Sequence, residues 1–406
     1  MNQLPYPTET DASTGAGPLD DTTVPAAFLQ DLRTDANSWR FLFDHKGFLH
    51  LRHHQHEHAG DRDLMVNQTN LVSDGAVPAH TTDPNLINPW GVSFGPTGPF
   101  WISDNGTGVT TIYNGAGDPV PVAGNTAITI PAPPDQTGAS APTGQVFNTA
   151  GTGFAVSENG VSGPSVFLFA TEDGTIAGWS PTVDKGSAVT AVDNSQGDGA
   201  AVYKGLAIGN DGNASYLYAA DFKNGMVDVF DSSFHQVNSF TDPNLPAGFA
   251  PFGVQVLQGK LFVTFAQQNA AQRDDVAGPG NGFVDEFDLN GGLLARVAST
   301  GALNSPWGLD IAPPSFGKLA GDLLVGNFGD GTIHAYDLKT DMLAGTLLNS
   351  EGKPLVIDGL WALTNGNGGN GGDPNTVYFT AGPQQETHGL FGSLSPAQSG
   401  SANLTT

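Results

Sequence analysis

A glycine opens a short apolar strand at six places in this 406-residue chain: Gly91, Gly144, Gly205, Gly253, Gly308 and Gly359. Successive gaps run from 48 to 61 residues, the size of one four-stranded blade of a β-propeller. A second column is in tighter register. Gly108, Gly174, Gly225, Gly282, Gly331 and Gly389 are each followed, five positions on, by Tyr113, Trp179, Phe230, Phe287, Tyr336 and Leu394. The next residue is polar every time: Asn114, Ser180, Asp231, Asp288, Asp337 and Ser395. A glycine turn feeding an alternating apolar run, as in Gly225-Met-Val-Asp-Val-Phe-Asp231, reads as a hairpin and a third strand. Each unit also carries an apolar run between the two columns. The unit is therefore strand a, strand b, glycine hairpin, strand c and a weaker outer strand d.

The sixth unit ends its third strand at Leu394 and has only a polar tail beyond it, whereas residues 69–72 precede the first unit without a blade of their own. Asp83-Pro84-Asn85-Leu86 ahead of the first unit echoes Asp242-Pro243-Asn244-Leu245 ahead of the fourth, which puts residues 69–72 in a strand-d slot. The expected fold is thus all-β, a six-bladed β-propeller closed by an N-terminal strand that completes the last blade and removes an open edge. The expected domains are an N-terminal extension over 1–64, the propeller over 65–396 and a tail over 397–406.

Composition narrows the partners. Forty acidic residues against 14 basic ones give a net charge of −26, which repels nucleic acid and anionic lipid. Charged residues are only 13% of the chain, so metal cations and neutral or cationic ligands remain compatible. The absence of cysteine excludes disulfides and thiolate chemistry. No apolar stretch is long enough for a membrane helix, and no signal peptide is visible. The chain reads as a monomer without membrane insertion.

Residues 1–25 are rich in Pro, Thr, Asp and Gly and read as a disordered lead-in, while Phe28 to Leu51 is apolar enough to lie on the propeller flank. Half of the ten histidines fall within residues 50–58. Their spacing suits either a metal site or a solvated linker. The Asn-Gly-Asn-Gly-Gly-Asn-Gly-Gly run at 365–372 reads as a flexible loop on the face opposite the site.

In a propeller the ends of strand b converge on the mouth of the central channel. That column holds Asp104, Glu172, Asp221, Phe265, Asn327 and Ala381. Asp104, Glu172, Asp221 and Asn327 supply oxygen ligands for a divalent cation such as calcium. The competing reading is local, since Asp and Asn also cap tight turns. Ligand-binding candidates on the same rim are Trp90, Lys204, Trp307 and Asp358 from the starts of strand a. The two longest b–c loops add Gln267, Gln268, Arg273, Asp274 and Asp275, and then Gln384, Gln385, Glu386 and His388. His388 is the candidate general base.

The Pro-Trp-Gly-Val/Leu openings, the Asp-Gly-Thr-Ile hairpins and Asn327-Phe-Gly-Asp-Gly-Thr-Ile333 resemble a bacterial propeller family usually described as uncharacterised and often exported. The resemblance covers about residues 66–396 and implies an extracellular or cell-envelope location. More distantly the chain is similar to NHL-repeat and gluconolactonase/senescence-marker propellers. The latter hold a divalent metal in the channel and hydrolyse lactones or esters; Asp104, Glu172, Asp221 and Asn327 suit such a site in type. Those enzymes carry a ligand glutamate before the proline of their first blade, where this chain has Asn88-Pro89. The leading expectation is an exported propeller binding a small or polymeric ligand at its top-face pocket, around a divalent cation. The alternatives are a metal-dependent hydrolase or lyase using the same pocket, and a protein-interaction scaffold.

Overall fold

Short alternating apolar runs, each bounded by glycine or by Asx turns, favour antiparallel strands over helices. The computed structural model describes residues 62–397, preceded by the backbone of two short strands, β1 (Leu42–Phe43) and β2 (Leu49–His50). By its contacts the chain divides into two units, Met1–His58 and Ala59–Thr406. In the first, β1 and β2 pair antiparallel. The expectations for the lead-in, the flank residues, the histidine side chains of 50–58 and the tail from 398 fall outside the described residues.

The second unit begins with β3 (Leu64–Ser73) and β4 (Thr81–Thr82). Four separate four-stranded sheets follow. The first is β5 (Pro89–Ser93), β6 (Phe100–Asp104), β7 (Val109–Tyr113) and β8 (Ala127–Thr129). The second is β9 (Pro142–Phe147), β12 (Phe167–Thr171), β13 (Thr175–Trp179) and β14 (Val189–Asp193), interrupted by a hairpin of β10 (Ala155–Glu158) and β11 (Val161–Pro164). The third is β15 (Tyr203–Asn210), β16 (Ser215–Asp221), β17 (Met226–Phe230) and β18 (Gln236–Phe240). The fourth is β19 (Phe249–Leu257), β20 (Lys260–Gln267), β21 (Phe283–Phe287) and β22 (Leu293–Ser299).

The rest form one larger sheet. One meander in it is β23 (Pro306–Ile311), β24 (Leu323–Asn327), β25 (Ile333–Asp337) and β26 (Met342–Leu348). The other is β27 (Leu360–Asn365), β28 (Val377–Ala381) and β29 (Leu390–Pro396), with β3 lying antiparallel to β29. The first two residues of β3 also pair in parallel with β26, Leu64 opposite Leu347 and Met65 opposite Leu348. This short bridge joins the last two meanders, so apart from the two-stranded hairpins the described strands form five sheets rather than the six expected. The pairing of residues 69–72 with the last strand is present, Thr69 opposite Ser393 and Val72 opposite Phe391.

The sheets stand face to face in a propeller arrangement, and buried clusters fill the gaps between neighbours. Trp101 and Ile112 meet Phe167 and Trp179; Leu168 and Ile176 meet Leu206 and Leu217; Tyr218 and Val229 meet Val263 and Phe287. Phe262 and Val284 meet Leu323 and Val325, Leu324 and Ala335 meet Leu363 and Phe379, and Tyr378 and Phe391 return to Phe100 and Tyr113.

The first glycine column has a steric cause. The innermost strands lie so close that a Cβ on Gly91 would sit 2.5 Å from the Thr143 carbonyl oxygen, and one on Gly308 2.3 Å from that of Trp361. In the sixth unit the column was misplaced. Leu360 faces Ala381 as Pro306 faces Asn327, so the Pro-Trp-Gly equivalent is Leu360-Trp361-Ala362 and not the tripeptide ending at Gly359. Gly359 belongs with Asn88 and Ser305, the residues entering the inner strand with φ of 67°, 48° and 46°. The polar residue that ends the second column starts the outer turn: Asp231 Oδ1 accepts the Ser233 N–H at 2.8 Å, and Asp288 Oδ1 that of Asn290 at 2.8 Å.

The glycine-rich run at 365–372 is fastened rather than free. Gly115 N–H donates to the Asn370 carbonyl at 2.8 Å, and Asn367 Nδ2 donates to the carbonyls of Gly95 and Gly98 at 2.9 and 2.8 Å. Its glycines permit that approach, since a Cβ on Gly369 would lie 2.7 Å from the Thr97 carbonyl oxygen. Among the described residues no helix is long and apolar enough to cross a membrane.

One buried acid makes stability depend on pH. Asp310 is 8% exposed, with Oδ1 bonded to the Ile311 N–H at 2.7 Å and Oδ2 unpartnered. Burial pushes its carboxyl up to about 7. The folded state therefore binds this proton more tightly than the unfolded chain, and stability falls as pH rises from about 4 to about 7. Asp310→Asn is expected to melt like the wild type at pH 4 and several degrees above it at pH 8. Equal melting at both pH values would refute the assignment.

Candidate functional site

Inner-strand pairing aligns Trp90, Thr143, Lys204, Phe252, Trp307 and Trp361 at one level around the axis. Four of these six are aromatic and build a buried floor. Trp90 stacks on Trp361 at 3.5 Å, and Trp307 stands edge-on to both, at 6.1 and 5.7 Å. Phe222, Phe252 and Phe328 join this cluster. The floor caps an axial cavity of about 30 Å³ lined by Gly91, Gly144, Gln145 and Leu206 among others, room for little more than one or two waters. A ligand on this axis would rest on the floor rather than pass through it.

The one charged residue at this level is Lys204, 3% exposed. Its Nζ lies 5.2 Å from the Trp90 ring and 5.9 Å from that of Phe222, within cation–π range. It pairs with Glu172 and stands 3.6 Å from Asp274. Glu172 Oε2 also accepts from Asn105 Nδ2 at 2.9 Å, and Arg273 reaches the Glu172 carbonyl at 3.4 Å. Asn88 Nδ2 donates to Glu386 Oε2 at 2.8 Å and to Asn105 Oδ1 at 3.3 Å, while Asn88 Oδ1 accepts from Trp361 Nε1 at 3.0 Å. Two carboxylates, Glu172 and Glu386, are thus linked through two amides above the tryptophans.

Their environments differ. Burial raises the Glu172 carboxyl, but the Lys204 ammonium and the bonds from Lys204 and Asn105 outweigh it and hold it below the usual range. Glu386 is pushed up, first by burial and then by the Glu172 and Asp275 charges, with Asn88 and Lys204 opposing. It stands on a strained turn, since Gln384, Gln385 and Glu386 are consecutive non-glycine residues at φ of 56°, 59° and 64°. Asp358 is exposed and accepts the Gln384 N–H at 2.8 Å, which fastens that turn. Gln267 is half-buried in β20; the neighbouring Gln268 sends its amide to the Phe222 carbonyl at 2.5 Å.

The sequence column at the end of strand b mixed two faces. Thr171, not Glu172, faces Pro142 as Asp104 faces Pro89, Asp221 faces Tyr203 and Asn327 faces Pro306. A slip of one residue reverses the face of a strand. Asp104 follows Phe100 and Ile102, Asp221 follows Leu217 and Ala219, and Asn327 follows Leu323 and Val325, all packed against the preceding sheet. Glu172 follows Leu168 and Ala170 toward the next sheet, where Lys204 stands. Asp221 and Asn327 are engaged locally, by Val202 N–H at 3.2 Å and Asn304 N–H at 3.1 Å. Among the described residues no three His, Cys, Asp or Glu side chains are grouped to hold a metal ion. His388 turns its Nδ1 to Asp74 Oδ2 at 2.6 Å, so its ring is committed to the loop after β3. Sequence reasoning missed Asn88, Asn105, Phe222, Phe328 and Trp361 as mouth residues; the register correction above would have found all but Asn88.

No family model matches the chain. It is 32% identical over 332 residues to the Acanthamoeba polyphaga mimivirus protein described as "Uncharacterized protein R648", covering 80% of this chain and 78% of that one. "Uncharacterized protein L690" of the same virus is 33% identical over 333 residues, covering 80% and 84%. Similar solved structures include virginiamycin B lyase from Staphylococcus aureus, 14% identical over 82% of this chain and 99% of that one, with a TM-score of 0.45. A glucose dehydrogenase is 12% identical over 82% and 100%, with a TM-score of 0.49.

Proposed function

The chain belongs to one family with the mimivirus proteins R648 and L690, and from that premise we propose that it is a six-bladed propeller binding a neutral or cationic small molecule, or one unit of a polymer, at the mouth above the tryptophan floor. The blade count treats the larger sheet as two blades that β3 bridges through only Leu64 and Met65. Six interleaf clusters with a separate axial one support that count.

One observation carries the binding reading: a buried lysine–glutamate pair, Lys204–Glu172, linked through Asn105 and Asn88 to Glu386 over an aromatic floor. Desolvating such groups is costly, and convergent polar groups over an apolar base are what a ligand pocket requires. Carboxylates outnumber cations here, with Glu172, Glu386, Asp274 and Asp275 against Lys204 and Arg273, so an anionic ligand is disfavoured.

Three of the six tryptophans lie in the floor, which makes intrinsic fluorescence the direct assay. Titration with a panel of polyols, oligosaccharides and amines is expected to quench emission for one class. Glu386→Ala should weaken that binding at least tenfold, the worth of one lost charged hydrogen bond. A ligand of this chain that quenches Glu386→Ala and wild type alike would place binding elsewhere and sink the proposal. A catalytic reading draws on the same pair, because two carboxylates whose environments push them apart can serve as acid and base. It requires that Glu386→Gln retain binding and lose turnover of the ligand so found.

A further inference from the structure

Asp104, Thr171, Asp221 and Asn327 occupy one position in four sheets, the last residue of the second strand. Three of them are satisfied by nearby backbone. Thr171 Oγ1 accepts the Thr175 N–H at 3.1 Å, Asp221 Oδ1 those of Val202 and Asn224 at 3.2 Å, and Asn327 Oδ1 that of Asn304 at 3.1 Å. Asp104 differs. It is 0% exposed, and neither carboxylate oxygen completes a hydrogen bond, although the Thr111 hydroxyl lies near it. Thr111 Oγ1 is itself buried and unpartnered. Orphaned buried groups of this kind call for an explanation.

The chain contains its own point of comparison. The turn at Asp83-Pro84-Asn85-Leu86 and that at Asp242-Pro243-Asn244-Leu245 fold alike, with Asn85 N–H on Asp83 Oδ1 at 2.9 Å and Asn244 N–H on Asp242 Oδ1 at 2.8 Å. In the fourth sheet Asp242 and the buried Asp285 share the Arg296 guanidinium. Asp285 is the third residue of β21 and pairs with Arg296 across to β22. The third residue of β7 is Thr111, which pairs across to β8 with Ala127. Where the fourth sheet places an arginine, the first places a methyl group. Asp83 Oδ2 accepts the Tyr113 hydroxyl at 2.9 Å, a neutral donor where Asp242 has a guanidinium. Asp83 and Asp104 lie within electrostatic reach of one another, and among the described residues neither has an ion-pair partner.

We propose that a hard cation is held between Asp104 and Asp83, with the Thr111 hydroxyl as a further oxygen ligand, and that it supplies the positive charge that Arg296 supplies in the fourth sheet. An all-oxygen donor set with two carboxylates suits calcium rather than a metal favoured by nitrogen or sulfur. The site keeps Asp104 from the sequence-derived ligand set and leaves out Glu172, Asp221 and Asn327. It lies between sheets, on the strand face opposite to that of Asn105.

The test is thermal melting of the full chain, stripped with chelator and titrated with calcium chloride; calcium also avoids competition from the histidines at 50–58. At a hundredfold excess over Kd the wild type is expected to gain about 4 °C. Asp104→Asn and Asp83→Asn should each abolish the gain while folding, as near-ultraviolet circular dichroism reports, and Asp221→Asn should keep it. Calcium content by elemental analysis should follow the same pattern. If stripped wild type neither binds nor responds to calcium, or if Asp104→Asn responds as the wild type does, the proposal is overturned. In the first case Asp104 is a protonated acid and Asp104→Asn melts like the wild type throughout.

Discussion

A chain beginning at Asp74 is expected to show no cooperative melting transition, whereas one beginning at Ala59 melts sharply. The difference is β3. It pairs with β29 from Leu390 opposite Ser73 to Pro396 opposite Val66, and it buries Val66, Leu71 and Val72 to between 0% and 6% exposure. Burying three such side chains is worth about 6 kcal/mol, comparable with the whole net stability of a typical domain, about 5–15 kcal/mol. Without β3, moreover, β29 presents an open edge and Phe391 and Leu394 lose cover, which invites aggregation. Arg62 adds a second hold. Its Nη2 contacts Asp322 Oδ2 at 2.6 Å, and its Nε and Nη2 donate to the Lys318 carbonyl at 3.0 and 2.6 Å. Val72→Asp in the full chain is the sharper form of the experiment, because it leaves length unchanged and puts a charge at a fully buried position. Melting of Val72→Asp within a few degrees of the wild type would show that the last strand does not depend on β3.

The two glycine columns were legible because each has a cause that acts at short range. At four of the six hairpin glycines the turn needs a left-handed residue, as at Gly108 with φ of 71° and Gly225 with φ of 71°, and inner strands at a crowded axis leave no space for a Cβ. The apolar residues at Tyr113, Trp179, Phe230, Phe287, Tyr336 and Leu394 all lie in the core for the same reason. The mouth was less legible because its residues are set by parity and by long-range pairing. Aligning on the glycine turns together with the apolar runs of strand b put Asp104 and Glu172 in one column, although one residue of offset sends them to opposite faces. Glycine also misled at 359, where it marks a left-handed entry and not the crowded axis, while Ala362 holds the true column position. No local pattern announces that Asn88 and Glu386, 298 residues apart, will meet; only closure of the ring brings them together.

Lys204 offers the largest effect at the mouth. Replacing it with methionine keeps the volume and removes the one ammonium that holds the Glu172 carboxylate, whose side chain is 12% exposed. Removing one partner of a buried ion pair costs about 3–5 kcal/mol, because the remaining charge is stranded. Lys204→Met is therefore expected to melt well below the wild type. The loss should be greatest at neutral and alkaline pH and shrink in acid, where Glu172 takes up a proton. The double variant Lys204→Met/Glu172→Leu should recover most of that loss, since an apolar pair of similar volume packs against Trp90 and Phe222 without a desolvation cost. It should nevertheless fail to bind whatever ligand quenches the tryptophan floor. That split between restored melting and absent binding is the decisive result, because the pair would then be one the fold can do without and the site cannot. If the double variant binds as the wild type does, the Lys204–Glu172 pair belongs to the framework alone, and the mouth must recognise its ligand through Glu386 and the amides of Asn88 and Asn105.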